Sequence, residues 1–217
     1  YAWAPFYYAT VREPGAARVF SAVTTYGVAI LALMTAGLSA IAADLLTVVT
    51  HGKFTAAAGV VAWTSVGVFF QGVYLMTSIG LNITRRTEYY PVATAVAAAL
   101  NIGLNVLLIP RHGIMGAAYA NGAAYAAQAA IAGYFSQRFY PVRYETGRLA
   151  RVVGAALVAY AAGQALPAMH PALGVLARGT TVVMVMTAGL WIGGFFRPEE
   201  LRVLARFRRA RGPEGNP

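Results

Sequence analysis

Uncharged hydrogen-bonding side chains at helical spacing are the groups in this sequence that could do chemistry. Thr64, Gln71, Ser78 and Asn82 follow one another at intervals of seven, seven and four residues. At about 100° per residue, these intervals place all four on one narrow stripe of a helix. Asn101 and Asn105 lie four apart with Thr94 near the same face, and Asn121 and Gln128 lie seven apart. Ser21, Thr25, Thr35 and Ser39 roughly align on an earlier stretch. Such amides and hydroxyls also join neighbouring helices, at about 0.6 kcal/mol per contact, so each stripe has a packing reading beside a functional one. Several uncharged stripes together fit a weakly hydrated pathway for a polar, hydrogen-bonding cargo. Gln71, Ser78, Asn82, Asn101, Asn105 and Asn121 are its candidate lining.

Ionisable groups are placed elsewhere. Glu13, Asp44, Glu88, Glu145, Glu199, Glu200 and Glu214 fall in loops, at helix ends or in the tail, as do His51, His112 and His170. An ionisable group inside a membrane span is the usual mark of a proton relay or ion site, and none is expected here. No HExxH, GxSxG, P-loop or GxGxxG run appears. Paired acids, or a nucleophile with its base, are missing too. The sequence therefore gives no reason to expect an enzyme, a metal site or a cofactor. Arg85 and Arg86, followed by Thr87, Glu88, Tyr89 and Tyr90, have two readings: a basic anchor with an aromatic belt, or a mouth that catches a phosphate headgroup with fork-shaped donors.

The elements that must position these groups are apolar helices. Of 217 residues, 59% are hydrophobic and only 11% charged, with mean hydropathy +0.58; a soluble domain carries about 25% charged residues. Six stretches, near 18–43, 59–83, 92–109, 114–136, 149–166 and 175–195, approach the ~20 residues that cross a bilayer core. Pro14, Pro91, Pro110, Pro141, Pro167, Pro171, Pro198 and Pro213 fall between or beyond them, where a missing N–H costs least. YAWAPFYYA at the start reads as the end of a preceding, truncated helix whose Trp3, Tyr7 and Tyr8 suit an interfacial belt.

The net charge of +10 is explained by where the basic residues fall, so no nucleic-acid partner is expected. Arg12, Arg18, Arg85, Arg86, Arg138, Arg143, Arg148, Arg151, Arg197, Arg202, Arg206, Arg208, Arg209 and Arg211 collect on one side of the expected topology. Of the 17 Lys and Arg, only Lys53, Arg111 and Arg178 fall on the other. The arginine-rich side is expected to be cytoplasmic, and with it the C-terminus. There is no cysteine, hence no disulfide framework.

Three local features carry further expectations. VATAVAAALNIGLNVLLI and IMGAAYANGAAYAAQAAIAGYF form a helical hairpin. Pro110 is expected to end its first arm, and Gly113 to adopt φ > 0 at the reversal. Gly116, Ala120 and Ala124 recur every four residues, a seam that admits another helix backbone. The stretch from Asp44 to Ala58 is expected to be a loop, with a short interfacial helix starting near Asp44. The tail from Pro198 is expected either to be a solvated basic segment or an interfacial helix held by anionic lipid.

Four stretches, AWAPFYYA, SIGLNITRRTEYYPVAT, ALNIGLNVLLIPRHGIMGAAYA and SQRFYPVRYE, resemble the C-terminal half of bacterial oligosaccharide flippases. These form the polysaccharide-biosynthesis (Wzx-like) branch of the multidrug/oligosaccharidyl-lipid/polysaccharide exporter superfamily. The third stretch carries most of the likeness, through Asn101, Asn105, Ile109-Pro110 and Gly113-x-x-Gly116-Ala117-Ala118. The likeness weakens after about Leu149.

It implies an all-α polytopic bundle of about six spans, the second bundle of a MATE-like two-bundle transporter whose first bundle precedes this sequence. On that reading residues 1–17 are a helix end and cytoplasmic loop, 18–136 a four-helix core, and 137–148 a cytoplasmic loop. Residues 149–196 are a C-terminal helix pair and 197–217 a basic cytoplasmic tail. The implied activity is alternating-access transfer of polyprenyl-diphosphate-linked oligosaccharide from the inner to the outer leaflet of the bacterial cytoplasmic membrane. Its implied partners are that lipid-linked cargo, membrane lipids and the first bundle. A cation-coupled drug exporter of the same superfamily is the nearest alternative. A membrane-embedded polymerase or ligase is the alternative from another class, and it would want large charged outer loops that the sequence lacks.

Overall fold

A computed structural model describes residues 3–12 and 14–197, and among them there is no β-strand. The helices are α1 (Trp3–Thr10), α2 (Ala16–Thr50), α3 (Ala58–Thr77), α4 (Ile79–Ile83), α5 (Tyr89–His112), α6 (Ile114–Phe139), α7 (Thr146–Gln164) and α8 (Pro171–Ile192). Tyr7 is buried against the Phe20 and Ile79 cluster rather than lying in an interfacial belt, while Tyr8 is exposed. The tail that was expected to be solvated or interfacial lies outside the described residues.

Four helical stretches are long and apolar enough to cross a membrane: α2, residues 55–83, α5 and α8. The expected six spans thus reduce to four on this criterion. α6 has the length, but its alanines, glycines and amides make it less apolar, and α7 carries Arg148 and Arg151 in its first turns.

α2 is the spine. Val28, Ala29, Ala32, Ala36 and Ala40 form a buried stripe of small side chains at helical spacing. Such a stripe lets neighbouring helices come close. Val152 and Ala159 of α7, and Val182, Met186 and Leu190 of α8, complete that core. From α2 the bundle extends sideways: α3 packs on α2, α6 on α3 and α5 on α6. Ile30, Met34 and Leu38 on the opposite side of α2 remain exposed, as expected of a face turned to lipid.

The hairpin seam behaves as expected. Ala120 and Ala124 are buried, and a Cβ added at Gly116 would come within 2.5 Å of the Leu108 carbonyl. Glycine is required there because α5 backbone lies directly against it. Gly113 makes the reversal alone, at φ 56° and ψ −138°, a conformation closed to other residues. Pro110 does not end α5, which continues to His112. Only one helical N–H is forfeited so near the terminus, and the Gly113 N–H closes the last turn on the Ile109 carbonyl at 2.8 Å.

Two other boundaries differ from expectation. Between Ala43 and Thr50 nothing breaks the helix, so α2 continues two turns past the expected span. It stops at His51-Gly52, both at positive φ, and only a single 3₁₀ turn, Thr55–Ala57, follows. Asp44 is therefore a helical residue, and no interfacial helix starts there. The second span is divided at Ser78 into α3 and α4.

α3 and α6 run parallel: Gly59 lies beside Met115, Gly67 beside Tyr125, and the Gly80 N–H donates to Ser136 Oγ at 3.0 Å. The starts of α2, α5 and α7 accordingly share one end of the bundle with the ends of α4, α6 and α8. Ser21 Oγ donating to the Arg143 carbonyl at 2.8 Å marks that end. Arg12, Arg18, Arg85, Arg86, Arg138, Arg143, Arg148, Arg151 and Arg197 gather there, while Lys53, Arg111 and Arg178 lie toward the other.

Candidate functional site

The candidate lining residues resolve into two groups. Near the arginine-rich end, Ser78 and Asn82 are joined by Tyr90. The Asn82 amide donates to Tyr90 Oη at 2.6 Å, and Tyr90 Oη donates to the Ser78 carbonyl at 3.1 Å. The divided helix explains the arrangement. At the α3–α4 junction, the Ser78 carbonyl receives the Leu81 N–H at 3.0 Å in a tight i+3 bond, and the Tyr90 hydroxyl occupies its second acceptor site. Ser78 is buried. These two residues act as a latch between α3–α4 and α5.

The second group lies along α6 and on the two helices that flank it, α3 and α5. Gln128, buried on α6, donates to Thr94 Oγ1 of α5 at 3.2 Å. α5 and α6 are antiparallel, so stepping seven residues up one and seven down the other brings Asn101 level with Asn121. Asn105 donates to both the backbone and side-chain oxygens of Asn101 at 2.9 Å. The Asn121 amide lies against Gly67 of α3. One turn further along α3 is Gln71, half-buried, whose Oε1 is shielded from solvent and accepts no hydrogen bond among the described residues. Thr64, on the same stripe, is exposed beside α2. Apart from Thr64 and Thr94 these groups are buried or half-covered, and Gln71 is the one whose solvent-shielded oxygen has no partner among the described residues.

Arg85 and Arg86 close α4. Arg85 takes a left-handed conformation, φ 58°, at the position where glycine usually ends a helix. The Arg86 N–H reaches back to the Leu81 carbonyl at 2.9 Å. The Arg85 side chain is exposed. Arg86 is more committed, with its guanidinium 3.4 Å from Glu88 and 5.3 Å from the centre of the Phe139 ring.

Two ionic clusters escaped the sequence reading. Toward the end away from most arginines, Arg178 of α8 donates to Asp44 of α2 at 2.9 Å and to the Gly163 and Leu166 carbonyls at 2.7 and 3.3 Å. It thereby ties α2, α7 and α8 together. Gly174 makes room for it, since a Cβ there would overlap the Asp44 carboxylate. At the arginine-rich end, Glu145 precedes α7 and binds both Arg148, at 2.6 Å, and Arg197. Arg148 is buried, donates to Tyr26 Oη at 3.3 Å and sits over the Phe195 ring at 4.5 Å. Tyr144 beside it has its hydroxyl pKa pushed up to about 12 by burial, so it stays a neutral donor. The Glu145-x-x-Arg148 spacing was the one sequence signal available, as i,i+3 neighbours of opposite charge.

Among the described residues, no three His, Asp or Glu side chains gather as a metal site. Compared with family models, curated proteins and solved structures, the chain matches none of them.

Proposed function

We propose that this chain is one helical bundle of a flippase for polyprenyl-diphosphate-linked oligosaccharide in the bacterial cytoplasmic membrane. It crosses the bilayer about six times, with its arginine-rich end and C-terminus in the cytoplasm, and rocks against a second bundle to alternate access. The cargo crosses without covalent change.

Gln71 carries the reading. A buried amide oxygen with no partner is uncommon, and in a membrane it asks for water or a hydroxyl-rich cargo. Asn121, Asn101 and Asn105 lie in the same region of the bundle, in the stretch that also carries the family resemblance. Packing supports α6 and α7 as spans: α6 lies between α3 and α5, and α7 sets one face against α2 and α8 while Val153, Leu157 and Val158 stay exposed. Arg85, exposed at the cytoplasmic end of the stripe, is positioned to meet a phosphate as the cargo enters.

The test is solvent access followed by transfer. Cysteines placed at Gln71 and Asn121 should react with a membrane-impermeant maleimide at least tenfold faster than one at Leu107, which faces outward. Equal rates would remove the hydrated pathway. With access established, the complete transporter in liposomes should move a labelled lipid-linked sugar between leaflets, and Gln71→Leu should slow it about tenfold.

A further inference from the structure

Arg85 holds a left-handed backbone conformation, φ 58°, that a long side chain rarely takes. Glycine would end the helix there without strain. Strained positions persist only where their surroundings over-determine them, and they gather at functional sites.

The surroundings of Arg85 meet that condition. Before the turn, the Arg85 and Arg86 N–H groups donate to the Asn82 and Leu81 carbonyls at 3.2 and 2.9 Å, and the Thr84 hydroxyl donates to the Gly80 carbonyl at 2.8 Å. After it, the Tyr89 ring stacks on Phe135 with centroids 4.3 Å apart. Tyr90 bridges the two sides. Its hydroxyl accepts from the Asn82 amide at 2.6 Å and donates to the Ser78 carbonyl at 3.1 Å. We propose that Tyr90 is a positioning residue: by clasping Asn82 and Ser78 across the α4–α5 turn, it holds Arg85 in place to engage the phosphate of the cargo. This rests on the flippase reading and names what orients its phosphate contact.

The base of the clasp is itself fixed. Ser78, Ile79, Gly80 and Leu81 are buried. The Gly80 N–H donates to Ser136 Oγ of α6 at 3.0 Å, and a Cβ on Gly80 would come within 2.5 Å of that oxygen. Through one hydroxyl, Tyr90 therefore ties an exposed turn to a seat that cannot shift. The Tyr74 ring meets Tyr90 edge-on at 6.1 Å, a contact that does not need the hydroxyl, so removing that oxygen alone leaves the ring seated.

The two arginines of the turn are used differently. The Arg86 guanidinium is engaged with Glu88 at 3.4 Å and lies over the Phe139 ring. Arg85 is exposed. With its backbone fixed, its planar fork samples fewer directions, and less freedom is lost when an oxyanion is gripped. The clasp should thus act on how tightly cargo is held at entry, not on the rate of rocking once it is loaded.

The test uses the complete transporter in liposomes with labelled lipid-linked sugar, and trypsin cleavage in detergent as a second readout. Tyr90→Phe should raise the half-saturating cargo concentration about tenfold and leave the maximal rate within about twofold. It should also speed trypsin cleavage after Arg85 and Arg86 about tenfold, read by mass spectrometry, because the turn opens more often. Arg85→Gly relieves the strained backbone, so it should keep or raise the melting temperature while raising half-saturation at least as much as Tyr90→Phe. Adding Tyr90→Phe to Arg85→Gly should bring no further loss, whereas a purely structural role for Tyr90 makes the two losses add. Additive losses overturn the proposal, as does unchanged transport by Arg85→Gly. Tyr90→Phe overturns it too if half-saturation or trypsin cleavage is unaltered, or if only the maximal rate falls. A wild-type transporter that moves no labelled cargo ends the flippase reading and this one together; in every other case this one fails alone.

Discussion

Arg178 and Arg148 solve the same problem toward opposite ends of the α2–α7–α8 unit, and they solve it differently. Arg178 has one acid and two carbonyls to itself, and its surroundings are neutral and closed. Arg148 shares its acid with Arg197 and rests on two aromatic faces, and its surroundings are open. The first arrangement engages all three guanidinium nitrogens within the protein and so serves packing. The second beds its guanidinium on the Tyr26 and Phe195 rings beside Glu145, next to an exposed Arg151. The Arg148 side chain is 6% exposed and that of Arg178 13%, and the two differ in what covers them: aromatic faces in one case, backbone carbonyls in the other.

Substitutions can break or sharpen that contrast. The largest effect is expected at Arg178→Ala, which strands the Asp44 carboxylate and should cost about 3–5 kcal/mol, read as an earlier unfolding midpoint in mixed SDS micelles. Asp44→Leu combined with Arg178→Met should recover most of the loss; if it does not, the pair does more than close the bundle. Gly174→Ala pushes a methyl group into Asp44 and should cost about 1–3 kcal/mol, with little further loss when Asp44→Leu is already present. Glu145→Gln should lower stability by about 1 kcal/mol, because Arg148 keeps its aromatic and hydroxyl contacts. Arg151→Ala, exposed and weakly bonded, should change stability by less than about 0.5 kcal/mol. A large loss there would make the Glu145–Arg148 cluster structural throughout and erase the distinction.

Much of the framework was legible because it rests on local rules. Gly116, Ala120 and Ala124 declare a close helix contact by spacing alone, and Gly113 declares a reversal. The segregation of arginines fixed which helix ends lie together. What could not be read depends on distant partners. Asp44 and Arg178 are 134 residues apart, and nothing at either position names the other. A charged residue at the edge of an apolar run looks like the start of a loop, which is why α2 was cut short at Asp44. Pro110 misled for a different reason: a proline forfeits its own N–H without barring the next residues from the helix, and Arg111 and His112 continue it until the Gly113 N–H closes on Ile109. Within the candidate site, the stripe on α3 was visible from intervals. The split between a satisfied latch at Ser78 and Asn82 and an unspent amide at Gln71 required knowing where Tyr90 lies.

The length of α2 has one more consequence. Its 35 residues correspond to about 52 Å at 1.5 Å per residue. Even inclined by about 40°, the upper end of the usual range, such a rod rises about 40 Å and overshoots a 30 Å hydrocarbon slab. The helix therefore runs past the hydrocarbon at one end or both, and His51, Gly52 and Lys53 follow the end away from the arginines. That exposed tip is a handle. Trypsin cutting after Lys53, or a fluorophore attached there, would report the sidedness and tilt of the whole molecule from one compartment.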